Sequence, residues 1–308
     1  MKLALVAVQL SVDDVVLASG DAYRAHVEAA VAAAVDGAGG EHTLVVLPEL
    51  CGHLAMFALS PPAAHRAKTL SAALAAGAIR RPLEVLRGVA TTRVLDPRHA
   101  ILAALAPDAE RFWRGVCGPL ARAKRVYLVA GSHIRLGANG ELTSSSFTFA
   151  PDGRLLATTN KVNLVPAIED GAPSALGLAR GNSEKLPIVE TPFGKIATLI
   201  GYDAAREPLT EHERFIVMGP RIAARGGVTV VANPEADRAG VPGHREGIGA
   251  SLEEMPFARY AVTAHLAGAV LEMSFAGMSE ILERSATGVR QLAHAEIGAS
   301  SVIATVDA

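Results

Sequence analysis

The stretch GKIATLIGYDAAREP, residues 194–208, decides how the chain is read. Ile196-Ala197-Thr198-Leu199-Ile200 is a short apolar run, the pattern of a buried strand, and it ends at Gly201-Tyr202-Asp203. Where strands and helices alternate, ligands and chemistry gather at the carboxyl ends of strands. The side chains at this strand end therefore carry the functional reading.

Outward from that point the pattern repeats. KLALVAVQ (2–9) reads as a first strand, and AYRAHVEAAVAAAV begins a helix near Asp21 that GAGG stops. TLVVLPE is a buried strand ending at Pro48-Glu49, and RVYLVAG (125–131) is another. SSSFTFAPDGRLLATTNKVNL (144–164) reads as two strands joined at Pro151-Asp152-Gly153, with SSS on the strand surface. KLPIVETPFGKIATLIGYD turns at Pro192-Phe193-Gly194. A helix is expected near 211–225, a strand at VTVVANPEA, a helix over 252–263, then AVLEMSF and a closing SVIATVDA. This alternation, with hairpins among it, implies an α/β fold with mixed sheets. Residues 1–308 read as one domain. The Ala/Leu/Arg-rich segment 54–125, which carries Trp113, reads as a helical insertion within it.

Half of the 308 residues are apolar and 19% are charged, enough for a substantial core, and aromatics at 4% imply layers filled by small side chains. A net charge of −2 without a long basic run argues against nucleic acid or an anionic membrane as partner. Two cysteines make no disulfide framework, and ten histidines show no metal-ligand spacing, so neither metal nor cofactor is expected. The N-terminal apolar run is short and interrupted by Gln9, which favours a strand over a signal peptide. His265 and Glu272 speak against a membrane span in AVTAHLAGAVLEMSFAGM, and a cytoplasmic location is the expectation.

Three polar points stand where apolar strands stop: Glu49, Lys161 in TTNKVNLVPAIED, and the Gly201-Tyr202-Asp203 corner. Singly, Glu49 reads as a cap, Lys161 as a solvated strand residue and Asp203 as a helix start. Taken in order with their flanking strands, they resemble the nitrilase-like carbon–nitrogen hydrolases over nearly the whole chain. TLVVLPEL is similar to that family's strand ending in a catalytic Glu. Lys161, Leu164, Pro166 and Glu169 match its lysine block, and TPFGKIATLIGYD resembles the strand that delivers a cysteine followed by aromatic-Asp.

The resemblance implies a four-layer αββα sandwich, two mixed sheets covered by helices, in a protein that commonly forms homodimers. It also implies hydrolysis of non-peptide C–N bonds in amides or nitriles. A thiolate attacks the carbon, a carboxylate moves the proton, and an ammonium stabilises the oxyanion. Carried over, Glu49 is the base, Lys161 the oxyanion stabiliser and Glu169 a supporting carboxylate, while Gly201 occupies the nucleophile position. Tyr202, Asp203 and Asn233 are expected to line the pocket.

Cys51, two residues past Glu49, and Cys117 read as buried, inert thiols. The histidines His53, His65, His133, His244 and His265 read as surface or satisfied core. The departure at AAREP, Ala204 to Pro208, points to natural divergence. The expected function is that of a pseudoenzyme without cysteine-dependent activity. It would bind a small amide, amine or carboxylate, or act as a scaffold. The alternative is an active hydrolase of a small amide or nitrile, working through activated water or with cysteine restored in place of Gly201.

Overall fold

A computed structural model describes residues 1–60, 67–79, 81–92, 96–172, 175–237, 247–296 and 301–307. The N-terminal part runs β1 (Lys2–Val8), β2 (Leu10–Val12), α1 (Gly20–Asp36) and β3 (His42–Val46). Helices α2 (Cys51–Ala58), α3 (Leu70–Ile79), α4 (Pro82–Thr92) and α5 (Pro97–Lys124) follow, then β4 (Tyr127–Val129), β5 (His133–Leu136), β6 (Leu142–Phe149) and β7 (Leu155–Asn160). The remainder adds β8 (Ile188–Thr191), β9 (Gly194–Thr198), α6 (Met218–Ala224), β10 (Val230–Glu235) and α7 (Gly247–Glu253). Strands β11 (Tyr260–Val270), β12 (Met273–Ala276), β13 (Glu280–Ser285), β14 (Gly288–His294) and β15 (Ser301–Asp307) close the fold.

Two mixed sheets result. One has the order β15-β1-β3-β4-β6-β5, with β7 also on β6; the other has β14-β13-β11-β10-β9-β8, with β2 and β12 also on β11. Strands β1, β3 and β4 run parallel, as do β9, β10 and β11. Successive strand side chains point to opposite faces, which sorts them between layers. Leu3, Leu5, Leu44 and Val46 meet Ile196, Val230 and Val262 between the sheets. Val6, Val45 and Leu47 face away, towards Tyr23 and Val27 of α1, Leu54 of α2 and Trp113 of α5. Ala197, Val231 and Ala261 face α6 and α7 through Met218, Ile222 and Leu252. Both faces of each central strand are covered, so these strands read as continuous apolar runs rather than alternating ones. The expected αββα sandwich is the architecture observed.

Three local expectations are corrected. The segment expected to be helical over 252–263 is helical only to Glu253, and β11 begins at Tyr260. Pro256 lacks the N–H a helix interior needs, and Tyr260-Ala261-Val262-Thr263 pair with both β10 and β13. The helix expected near 211–225 is confined to Met218–Ala224. Upstream, the Asn163 side chain donates to Ile216 O and accepts from Ile216 N, which takes that backbone out of helical pairing. The SSS of β6 is not strand surface: Ser144, Ser145 and Ser146 are fully buried. The described residues of the 54–125 segment are predominantly helical. Among the described residues no helix is long and apolar enough to cross a membrane.

Candidate active site

Strands β3, β7 and β9 run out towards one rim, and the backbone there turns sharply. Leu50, just after Glu49, has φ 65°, and Gly201 has φ 50°, left-handed values that bend the chain immediately after its strand. Leu50 N donates to Ser132 Oγ (3.0 Å) and leads into α2. Glu49 N donates to Glu235 O (3.2 Å), tying the end of β3 to the end of β10 in the facing sheet.

These turns bring three charged side chains together, all nearly inaccessible to solvent. Lys161 Nζ donates to Glu49 Oε1 (2.8 Å) and lies 2.8 Å from Glu169 Oε2 and 2.9 Å from Glu169 Oε1. Glu169 Oε2 also accepts from Val165 N at 2.8 Å, which fixes the loop between lysine and glutamate. Burying one ammonium or carboxylate alone costs several kcal/mol, and mutual pairing is what makes this cluster tolerable.

Burial pushes the Glu49 carboxyl up to about 7, an effect the Lys161 ammonium only partly offsets. Burial alone would pull Lys161 down, but Glu169 and Glu49 outweigh it and hold the ammonium above its ordinary range. Lys161 is therefore a fixed cation, whereas Glu49 changes protonation near neutrality. Three carboxylate oxygens, Glu49 Oε1 and both oxygens of Glu169, surround the three N–H donors of the ammonium.

Gly201 is the third corner. A Cβ built on it would lie 2.8 Å from Glu49 Cδ and 3.0 Å from Oε1, and closer still to Oε2. Its missing side chain thus points straight at the Glu49 carboxylate. Neither cysteine occupies that space. Cys51 opens α2, is buried in the helix-side core, and has its Sγ 2.9 Å from Pro48 O. Burial, with a smaller contribution from Glu49, pushes its thiol far above the ordinary range. Cys117 is buried in the same core and its thiol is also raised by burial.

The expected pocket residues separate. Tyr202 lines the cavity above the cluster, with its hydroxyl bonded to Glu213 and to Leu209 N. Asp203 does not line it. Its carboxylate accepts from Val162 N (3.0 Å) and Asn163 N (2.6 Å), and so pins the Gly201 corner to the lysine loop. Burial pushes this carboxyl up to about 6, against those hydrogen bonds. Asn233 also turns inward: it donates to Leu199 O (3.0 Å) and accepts from Thr263 Oγ1 (3.4 Å), both inside the second sheet.

His53 lines the cavity, and His133 is buried with both ring nitrogens unpartnered among the described residues, so neither is a satisfied core histidine. His265 is buried too, whereas His65 and His244 lie outside the described residues. Glu235 is the cavity residue that the sequence reading passed over. A signal for it existed: LPE at 47–49 and NPE at 233–235 place the same Pro-Glu pair at the ends of two buried strands.

A model of the carbon–nitrogen hydrolase family matches residues 3–207, about two thirds of the chain. The chain belongs to the carbon–nitrogen hydrolase family. Solved structures share the fold of this carbon–nitrogen hydrolase along its length. A double mutant of the amidase from Nesterenkonia sp. AN1 in complex with acrylamide is 16% identical, with a TM-score of 0.61 over 100% of this chain and 90% of its own. The same amidase carrying one substitution, in complex with butyramide, is 16% identical and has a TM-score of 0.61 over 99% of this chain and 90% of its own. Nit3 of Saccharomyces cerevisiae, a member of branch 10 of the nitrilase superfamily, is 19% identical, with a TM-score of 0.62 over 99% of this chain and 90% of its own. No curated protein matches the chain in sequence.

Proposed function

We propose that this carbon–nitrogen hydrolase binds a small amide at the Glu49–Lys161–Glu169 cluster and has lost thiol-dependent hydrolysis, because Gly201 stands at the nucleophile's position. The observation that carries this reading is the direction of the side chain that Gly201 lacks, into the Glu49 carboxylate. A thiol there would lie beside the base that accepts its proton, and beside the ammonium that holds the oxyanion. With glycine, the Lys161 ammonium still presents its charge to a ligand carbonyl, and Glu49 Oε2, which takes no bond from Lys161, is left for a ligand N–H. Recognition survives while covalent attack does not. The amide complexes of the Nesterenkonia amidase support amides as the ligand class.

A second reading rests on Glu49 itself. A carboxyl at about 7 is poised to act as general base at neutral pH, and would activate a water bound to it from the cavity side. Direct water attack forgoes the covalent intermediate, so the expected rate is low.

Ammonia release by the wild type and by Gly201→Cys, over a panel of amides and nitriles, separates these readings. The proposal expects turnover only in the mutant, with thermal stabilisation of the wild type by amides. Comparable turnover in both proteins, unchanged by alkylating Cys51, would replace it with the water mechanism. The cysteine adopts a left-handed backbone and displaces the Glu49 carboxylate, a flexible side-chain end, so the mutant is expected to fold with reduced stability.

A further inference from the structure

Glu235 stands where the ends of β3, β9 and β10 come together. Its strand, β10, is tied to the chain after β3 through Glu49 N and Glu235 O (3.2 Å), and to the chain after β9 through Leu199 N and Ala232 O (2.9 Å). The first tie leads to Glu49 and the second to the Gly201 corner. Glu49 therefore reaches the cavity, a space of about 410 Å³, from one sheet and Glu235 from the other.

Among the described residues that line this cavity, the carboxyl groups are those of Glu49, Glu169, Glu235, Asp237 and Glu272, and Lys161 is the one fixed cation. Glu49 and Glu169 surround that cation. Glu272 accepts from Leu70 N at 2.9 and 3.1 Å, and the Asp237 side chain is 43% exposed to water. Glu235 is placed differently. Its Oε1 accepts from Ala236 N (3.1 Å), and its other oxygen has no partner among the described residues.

A carboxyl without a counter-charge, facing other carboxylates, is more stable with its proton on. Desolvation, reinforced by Glu49 and Asp237, pushes the Glu235 carboxyl well above its ordinary range, and Lys161 offsets only part of this. From β11 its register partner His265 adds no charge at neutral pH, because burial holds that imidazole below its ordinary range against the pull of Asp237. Glu235 is thus an O–H donor near neutrality, in the same cavity as a Glu49 carboxyl that ionises there.

We infer that Glu235 is the general acid of a cysteine-free hydrolysis in this cavity, giving its proton to the departing nitrogen while Glu49 takes one from the attacking water. The inference rests on the second reading, water activated by Glu49, and supplies the acid which that reading lacks. Water loses a proton to Glu49 as its oxygen bonds to the carbonyl carbon, and the carbonyl electron pair moves onto the oxygen facing Lys161. Glu235 then protonates the nitrogen, the C–N bond breaks with its electrons going to nitrogen, and the carbonyl re-forms. Carboxylic acid and ammonia leave, and a proton passed from Glu49 to Glu235 restores the starting state.

Hydrolysis of butyramide and of p-nitrophenyl butyrate by the full chain, followed from pH 5 to 10, tests it. The amide nitrogen must be protonated to depart, whereas p-nitrophenolate leaves as an anion. The amide rate is expected to rise through about 7 as Glu49 ionises, and to fall at higher pH as Glu235 ionises. The ester rate is expected to show the rise without that fall. Glu235→Gln is expected to slow the amide by about 100-fold and the ester by no more than about threefold, and to remove the fall from the amide profile. Glu49→Gln is expected to slow both substrates by about 100-fold.

Glu49-dependent ester hydrolysis without amide turnover would overturn the general acid and leave water activation by Glu49 intact. So would amide and ester profiles of one shape, or equal slowing of both substrates by Glu235→Gln. Hydrolysis of neither substrate above the rate in buffer overturns the inference together with the water reading. The two wild-type profiles decide the matter even if a variant fails to fold.

Discussion

The base of the cavity and its wall are held by different physics. The base is polar and directional: Lys161 sits 2.8 Å from two carboxylates, and Asp203 ties the lysine loop to the glycine corner through backbone N–H groups. The wall is helical and apolar, assembled from α2, α3 and α5 by contacts with no preferred direction. Each buried charge of the base depends on its partners, so changes at Glu49, Lys161 or Glu169 are expected to cost most, whereas a wall position is expected to accept side chains of similar volume.

The most severe way to break the base is Lys161→Met, which leaves Glu49 and Glu169 buried without a counter-charge. A loss of about 3–5 kcal/mol is expected in urea unfolding. Next comes pH. The fold raises the Glu49 carboxyl from 4.5 to about 7, so its contribution is fully present below about 4.5 and is lost as pH rises through about 7. Wild type is expected to lose up to about 3 kcal/mol relative to Glu49→Gln between pH 4.5 and 8, read from unfolding midpoints across pH. A stability difference that is flat with pH would show that Glu49 is not perturbed by its surroundings.

The wall answers with smaller effects. Leu102→Ala should cost about 2 kcal/mol, the low end for a buried leucine because the site already borders a cavity, and should leave the pH dependence unchanged. A changed pH profile would mean that the two regions are coupled. Smallest is Gly201→Ala, about 1–2 kcal/mol for a left-handed residue whose methyl displaces the Glu49 carboxylate. Calorimetric melting of the purified variant measures it.

Much of the base was legible because its residues sit at strand ends, where short apolar runs stop abruptly and the next side chain stands out. Glu49, Lys161 and Glu169 were visible for that reason, and Gly201 because a glycine follows a buried strand in a recognisable frame. Glu235 carried the same Pro-Glu mark and was passed over, since nothing local says that β3 and β10 end side by side in facing sheets. Asp203 and Asn233 were placed in the pocket because strand-end residues commonly face it. Their side chains instead satisfy backbone groups in the loops and sheet they join, a competition that sequence does not resolve.

The sequence alone determined the alternation of strand and helix, the frame of the carbon–nitrogen hydrolase family and the glycine at its corner, because apolar runs and turn residues act over a few neighbouring positions. The tertiary structure decided which polar side chains converge, that Asp203 faces the lysine loop, and that the segment 54–125 contributes helices to the cavity wall. Those outcomes depend on packing between residues as far apart as Glu49 and Lys161, 112 positions in sequence, and hydrophobic packing leaves no positional signature in the chain.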